Sequence, residues 1–203
     1  MRGRMSANQR ERLHLFLGRH RGRIWLLFIL GVLILNRADY PQQIGLYMDV
    51  AGGVLIAAAI ALRFYAEGHA GKRSRSHADR KAGLITTGPY ALTRNPKYLG
   101  NFLAGLGLAM MTDSPLIVVL FVLLFFGLYG LQVEFEEKAL LAKFGTKYLK
   151  YRTEVPRWFP RLRVPPGVDL RPRSSDFRYE WISAAIGILA AGLVHFVKHL
   201  HHL

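Results

Sequence analysis

Residues 115–133 (PLIVVLFVLLFFGLYGLQV) run for nineteen positions with Gln132 as their only strongly polar side chain. The hydrocarbon core of a bilayer is about 30 Å thick, and a helix of ~20 apolar residues crosses it. A soluble domain buries its core through amphipathic segments, and this run has no polar face. It therefore predicts a membrane span, which restricts the fold to helices that satisfy their own backbone groups. Residues 44–66 and 181–197 come close to the same standard, while 24–36 and 98–111 are shorter. The expectation is an all-α polytopic protein of about five transmembrane helices. It forms one membrane-embedded domain over 1–203, with a core at about 80–160 and 181–197 as an additional C-terminal span. A basic stretch before residue 24 also fits a signal peptide. No small-residue cleavage site follows, and residues 36–40 (NRADY) read as a membrane-edge turn, so a retained helix is expected.

The formal net charge of +15 raises the question of nucleic acid. Its distribution answers differently. Residues 1–23 carry seven Arg, residues 66–97 seven Lys or Arg, and residues 134–180 eleven, which together hold 25 of the 28 basic residues. Basic loops stay in the cytosol, so this alternation puts the N-terminus and both later basic segments on the inside. Attraction to anionic lipid and topology account for the excess charge, and no nucleic-acid recognition motif is present. With no cysteine, the chain has no disulfide, thiolate nucleophile or Cys metal site.

Between the apolar runs, residues 68–83 (GHAGKRSRSHADRKAG) are polar and Gly-bounded and read as a cytosolic loop. Thr112-Asp113-Ser114-Pro115 is a tight turn, which makes 98–133 an antiparallel helical hairpin. Residues 134–151 have helical periodicity, with Leu140, Leu141, Phe144, Tyr148 and Tyr151 on one stripe and Lys143, Lys147 and Lys150 on another face. An amphipathic helix along the interface is expected there, bent at Gly145. The prolines of 155–160 (VPRWFP) stop it, and 161–180 reads as loosely ordered chain on the membrane surface.

Two polar clusters sit at the membrane edge. The first is 84–101 (LITTGPYALTRNPKYLGN), where Gly88-Pro89 signals a turn and Asn95-Pro96 a helix start with Asn as cap. These residues equally suit a plain loop end, with Tyr90 and Tyr98 as interfacial anchors and Arg94 and Lys97 as flanking charges. The second is Glu134-Phe135-Glu136-Glu137, directly after the long apolar run. Acidic groups at that depth point to function unless paired, and Glu134 has a local partner in Lys138. The hairpin should bring Glu136 and Glu137 back beside Arg94 and Asn95, where a soluble cofactor could meet a bilayer substrate. His69, His77 and His195 lack metal-ligand spacing, the tail cluster His199, His201 and His202 reads as adventitious, and no metal is expected. Gly100, Gly105 and Gly107 would let helices approach closely.

Taken in order, Leu84-Ile85-Thr86-Thr87-Gly88-Pro89-Tyr90, Arg94-Asn95-Pro96-Lys97-Tyr98-Leu99-Gly100, Glu136-Glu137, Phe144-Gly145, Tyr148 and Val155-Pro156 resemble the isoprenylcysteine carboxyl methyltransferase and phospholipid methyltransferase superfamily of integral membrane enzymes. The resemblance implies S-adenosylmethionine as cofactor, held by Leu84, Ile85, Gly88, Pro89, Tyr90, Asn95, Pro96, Tyr98 and Glu136. It implies catalytic positions at Arg94, Glu136 and Glu137, with Arg94 orienting an anionic group or locking the Glu pair, and Glu137 as the lock's partner or a base. A carboxylate suits the methionine ammonium, and aromatic faces suit a sulfonium. The implied acceptor is a lipid or isoprenoid-like molecule at the cytosolic face, with membrane lipids as the other partners. Three positions depart from the family pattern. The motif histidine is Asn95, the His that often precedes LVT is Ala82, and the substrate-binding Arg of the isoprenylcysteine enzymes is Gln132. The last argues against a prenylcysteine carboxylate and keeps a phospholipid amine open. An NADPH-dependent membrane reductase of related fold and a non-catalytic membrane protein remain the alternatives.

Overall fold

The computed structural model describes residue 20 and residues 42–70, 83–172 and 177–200. Among the described residues from 42 onward, five α-helices and one short 3-10 turn make up the regular structure, with no strand. They are α1 (Gln42–Ala70), the turn Gly88–Ala91, α2 (Pro96–Met110), α3 (Pro115–Phe144), α4 (Thr146–Glu154) and α5 (Arg178–Leu200). Three of them are long and apolar enough to cross a membrane, over Gly45–Ala70, Pro115–Phe144 and Arg178–Lys198. The fold is all-α, and these three apolar helices mark an integral membrane protein. The expected five spans are not reached among the described residues. At fifteen residues, α2 is about 22 Å long, short of the ~30 Å hydrocarbon core. The expected span at 24–36, the turn at 36–40, most of the 68–83 loop with His77 and Ala82, and the tail from His199 fall outside the residues whose side chains are described.

Helices α1 and α2 cross where Gly52 and Gly107 meet. A Cβ on Gly107 would lie 2.5 Å from the Gly52 carbonyl oxygen, and one on Gly52 2.6 Å from that of Gly107. Only glycine allows this backbone approach, the role expected of Gly107. At the hairpin turn, Asp113 takes a positive φ of 55°, the Thr112 hydroxyl donates to Ala109 O at 2.6 Å, and the Ser114 side chain caps α3 by accepting from Ile117 N. Phe121, Phe125 and Tyr129 of α3 form the hairpin core with Tyr98 and Phe102 of α2, closed at one end by Trp158.

The acidic run does not start a new helix. Helix α3 continues through Glu134–Lys143 to Phe144 and breaks only at Gly145, whose φ of 52° ends it. The interfacial helix expected over 134–151 is thus two pieces, the end of α3 and the nine-residue α4. The reason lies elsewhere in the chain: Glu136 and Glu137 find partners across the fold in Tyr98, Arg94 and Arg157, so the helix needs no new N-terminus to neutralise them. Leu140, Tyr148, Tyr151 and Val155 form the buried stripe, while Leu141 is exposed.

Residues after α4 are also tied down, contrary to the loose surface chain expected. Arg94 N donates to Pro156 O at 2.9 Å, Arg161 N to Leu92 O at 3.0 Å and Gly88 N to Asp169 O at 2.9 Å. Helix α5 docks on α1 and α2 with ionic contacts at both ends. Glu180, buried in its first turn, takes Arg63 at 2.7 Å and Lys97 at 3.5 Å. Near its other end Lys198 reaches Asp49 at 2.9 Å and Asp113 at 2.6 Å. Charges within membrane helices are tolerated when so paired.

Candidate active site

The fold-back puts the acidic end of α3 beside the entry to α2. The short coil 92–95 is fixed by the strap after α4. The Thr93 hydroxyl lies 3.2 Å from Arg157 O and 3.1 Å from Trp158 O, and Asn95 Nδ2 donates to Arg157 O at 3.0 Å. Asn95 therefore occupies the N-cap position of α2 without capping it by a side-chain bond, while Pro96 fills the first turn as expected. With its amide spent on the strap, Asn95 fastens the loop instead.

Glu137 lies between two guanidiniums. Arg157 holds it in a fork at 3.1 and 2.6 Å, and Arg94 Nη2 approaches its Oε1 at 3.4 Å. The Glu137 side chain is 6% exposed and that of Arg94 9%. A buried charge pair survives only with such multiple partners. Its hydrogen bond to Glu137 pushes the Arg157 pKa above its ordinary value. The preceding residue, Glu136, accepts through Oε1 from the Tyr98 hydroxyl at 2.5 Å and from Gln132 Nε2 at 3.0 Å. Glu134 pairs with Lys138 at 2.9 Å on the surface.

These groups share a small pocket lined by Leu84, Ile85, Arg94, Asn95, Glu136 and Glu137, and by Leu140, Tyr148 and Tyr151. Arg94 Nε and Nη1 and the Tyr148 hydroxyl are buried there with no hydrogen-bond partner among the described residues. Unsatisfied buried donors are rare in folded proteins and mark a place for water or ligand. Burial and the nearby Glu137 charge push the Tyr148 phenol up to about 12, so it stays a donor at neutral pH.

Of the residues singled out in the sequence, Leu84, Ile85, Arg94, Asn95, Glu136 and Glu137 line this pocket, with Tyr98 and Gln132 bonded to Glu136. Gly88, Pro89 and Tyr90 do not line it. They form the turn behind it, where Tyr90 packs on Ala66, Ala70 and Ile85 and its carbonyl accepts from the Tyr151 hydroxyl at 2.7 Å. Pro96 is buried at the start of α2. Gly88 has φ 55° and lies against the His69 ring, which a Cβ would meet at 2.4 Å. His69 itself sits 3.1 Å from Thr87 Oγ1 and 3.2 Å from Leu170 O, fixing loop to strap. Arg157 was not foreseen, since a lone Arg in a Pro-rich coil has no periodicity to mark it. Tyr148 and Tyr151 were visible as part of an apolar stripe, and Tyr148 also as part of the family pattern, but neither as a residue of the pocket. Among the described residues no three His, Asp or Glu gather as metal ligands.

The family model for phospholipid methyltransferase matches residues 47–147, which span α1 to the start of α4 and carry the polar residues just described except Tyr148, Tyr151 and Arg157. The chain belongs to the isoprenylcysteine carboxyl methyltransferase and phospholipid methyltransferase superfamily. The human protein-S-isoprenylcysteine O-methyltransferase is 30% identical over 142 residues, 68% of this chain and 49% of that protein. Its Xenopus laevis counterpart is 28% identical over 151 residues, 73% of this chain and 50% of that protein. The nickel-cobalt-cadmium resistance protein NccN of Alcaligenes xylosoxydans xylosoxydans is 29% identical over 149 residues, 73% of this chain and 68% of that protein. The chain thus spans about half the length of these two methyltransferases. Helix α5 lies beyond the span of the family model.

Proposed function

We propose that this chain transfers a methyl group from S-adenosylmethionine to a lipid-like acceptor at the cytosolic membrane face. One observation carries the reading: unsatisfied Arg94 and Tyr148 donors converge with the Glu136 carboxylate on a pocket with apolar walls. The chemistry of those groups fits the cofactor. Arg94 Nε and Nη1 and the Tyr148 hydroxyl suit a carboxylate, Glu136 suits an ammonium, and Leu84, Ile85 and Leu140 suit a flat heterocycle. The enclosed space is about 10 Å³, about the least that holds one water, so binding goes with a parting of the pocket walls.

The cofactor supplies an electrophilic methyl on sulfur. The work of the protein is to align it with the acceptor and keep water out. Glu137 serves as a positioning residue: with both oxygens taken by Arg157 and one also facing Arg94, it holds the Arg94 guanidinium toward the pocket. Tyr98 and Gln132 hold Glu136 in the same way. Gly88, Pro89 and Tyr90 set the loop that brings Leu84 and Ile85 to the wall. Gln132 is neutral and donates to Glu136, so its position offers no cation to an acceptor carboxylate, which favours a headgroup other than prenylcysteine. The basic loops at this end support a cytosolic position for it.

The test is incubation of purified protein with methyl-labelled S-adenosylmethionine and a total lipid extract. Label in a lipid supports transfer, as an alkali-labile ester for O-methylation or a headgroup amine for N-methylation. A reductase of related fold predicts stabilisation by NADPH instead, and a non-catalytic protein predicts no labelled lipid and no cofactor bound.

A further inference from the structure

The strap after α4 carries a stretch that the pocket does not use. Residues 155–168 (VPRWFPRLRVPPGV) hold three Arg and four Pro and no Asp or Glu. Arg157 is spent on Glu137, while Arg161 and Arg163 pair with no acid among the described residues. Between and beside them, Phe159 is 74% exposed, Leu162 wholly so, and Val164 is exposed too. Exposed apolar side chains rimmed by charge mark a surface made for contact.

The fold fixes the level at which this stretch lies. Arg94 N donates to Pro156 O and Arg161 N to Leu92 O, so 156–161 runs beside the coil that enters α2. From there the Trp158 ring reaches along the hairpin, 6.1 Å from the Phe125 ring and 5.6 Å from that of Phe126. Phe126 stands seven residues, about 10 Å, inside the polar end of the apolar run 115–133. The indole covers much of that distance, which leaves the strap's backbone where hydrocarbon gives way to headgroups, the level that tryptophan favours. Prolines suit this level, because they bring no amide donor to be left unpaired. Phe159 and Leu162 then meet acyl chains. Arg161 and Arg163 have long apolar stems that lift their charged ends to the phosphates, which a guanidinium takes through paired hydrogen bonds. A soluble acidic protein would answer the charge, but the bilayer already fills the space beside Phe159.

We propose that residues 159–164 form a docking surface for anionic phospholipid, with headgroup phosphate on Arg161 and Arg163 and acyl chains against Phe159 and Leu162. This lipid is held for its charge and is not the molecule methylated. The surface is coupled to the pocket through Arg157, two residues before Phe159. Its guanidinium forks Glu137, its carbonyl accepts from Asn95, and its side chain is 34% exposed, against 6% for Glu137. Arg157 is thus the open side of the lock. Lipid on the next two arginines restrains the chain that carries it and favours the arrangement that holds Arg94 toward the methyl donor. The coupling rests on the methyltransferase reading; the docking surface does not.

The chain has no cysteine, so one nitroxide on Leu162→Cys reports the depth of the strap in the full protein. Discs of phosphatidylcholine alone are compared with discs holding a minor fraction of phosphatidylglycerol. Power saturation should place the nitroxide deeper in the anionic discs, with more access for oxygen and less for a nickel chelate. Arg161→Gln or Arg163→Gln should raise the phosphatidylglycerol fraction needed roughly fivefold, and the double variant should abolish the difference. A nitroxide on Leu123→Cys, in mid-span, should read immersed in both discs, and inorganic phosphate should not replace the anionic lipid. Affinity for S-adenosylhomocysteine should rise several-fold with phosphatidylglycerol in the wild type and not in the double variant. A Leu162 nitroxide that stays in water, one whose depth ignores both the anionic lipid and the arginines, or spin–spin broadening from a second copy overturns the proposal. Depth that follows the lipid while affinity does not overturns the coupling. A wild type that binds no S-adenosylhomocysteine in any disc strikes the methyltransferase reading, and the depth measurement still decides the docking surface.

Discussion

At the level of single residues the site is a set of mutual restraints in which each carboxylate has one task. Glu137 is the buried counter-charge of two arginines, so Glu137→Gln leaves Arg94 and Arg157 uncompensated. Removing one partner of a buried pair costs ~3–5 kcal/mol, and thermal unfolding in detergent should show a large loss. Glu134→Gln, which touches only Lys138 at the surface, should change stability by less than ~0.5 kcal/mol. Equal effects from both would contradict the lock. Tyr148 gives a pH signature. An unfolded tyrosine loses its proton near pH 10, while the folded one holds it to about 12. The folded state binds the extra proton between those values, so this stabilisation is intact below pH 10 and lost as pH rises through 12. Ultraviolet titration of the native protein should show a late phenolate component near pH 12, absent in Tyr148→Phe.

Among the elements, close backbone approach decides more than side-chain identity. Gly107→Ala would drive a Cβ to 2.5 Å from a backbone oxygen of α1, and since neither backbone can step aside cheaply the crossing should lose ~1–3 kcal/mol. Gly105→Ala, aimed at the Phe121 ring, should cost less if that ring can turn. Unfolding midpoints of the two variants check the order. Much of this architecture could be read before any coordinates, and the parts that could are those with a strong local signal. The apolar run of α3, the Thr112–Pro115 turn and the Pro96 start fixed a hairpin, and the hairpin alone implied that Glu137 would come back to Arg94. What escaped were features set by partners distant in sequence. Helix α3 runs past Glu134 because Arg94, Arg157, Tyr98 and Gln132 satisfy its next two carboxylates, and nothing local announces that. Asn95 looked like a cap because its usual partner is local; its actual partner, Arg157 O, is 62 residues away. Tyr90 read either as an interfacial anchor or, by the resemblance, as a cofactor contact, and is fully buried behind the pocket.

Taken whole, the molecule is a hairpin with a polar pocket at one end, and α5 docks on α1 and α2 beside it. Pinned by Glu180 at one end and Lys198 at the other, this helix should respond to the loss of either clamp. Lys198→Met leaves Asp49 and Asp113 facing each other without their cation, so amide exchange across Arg178–Lys198 should speed up while the α2–α3 hairpin keeps its protection. Uniform exchange along the chain would contradict a separately clamped helix. The central claim, that the Arg94 end of α2 and the Glu136 end of α3 together hold the methyl donor, has its most direct test in equilibrium binding of S-adenosylhomocysteine to the purified protein. Binding is expected in the wild type and in Glu134→Gln, weakened at least ~10-fold, or ~1.4 kcal/mol, in Arg94→Gln and Glu136→Gln variants that remain folded, with NADPH unable to compete. Unchanged affinity in both folded variants, or displacement by NADPH, would contradict it.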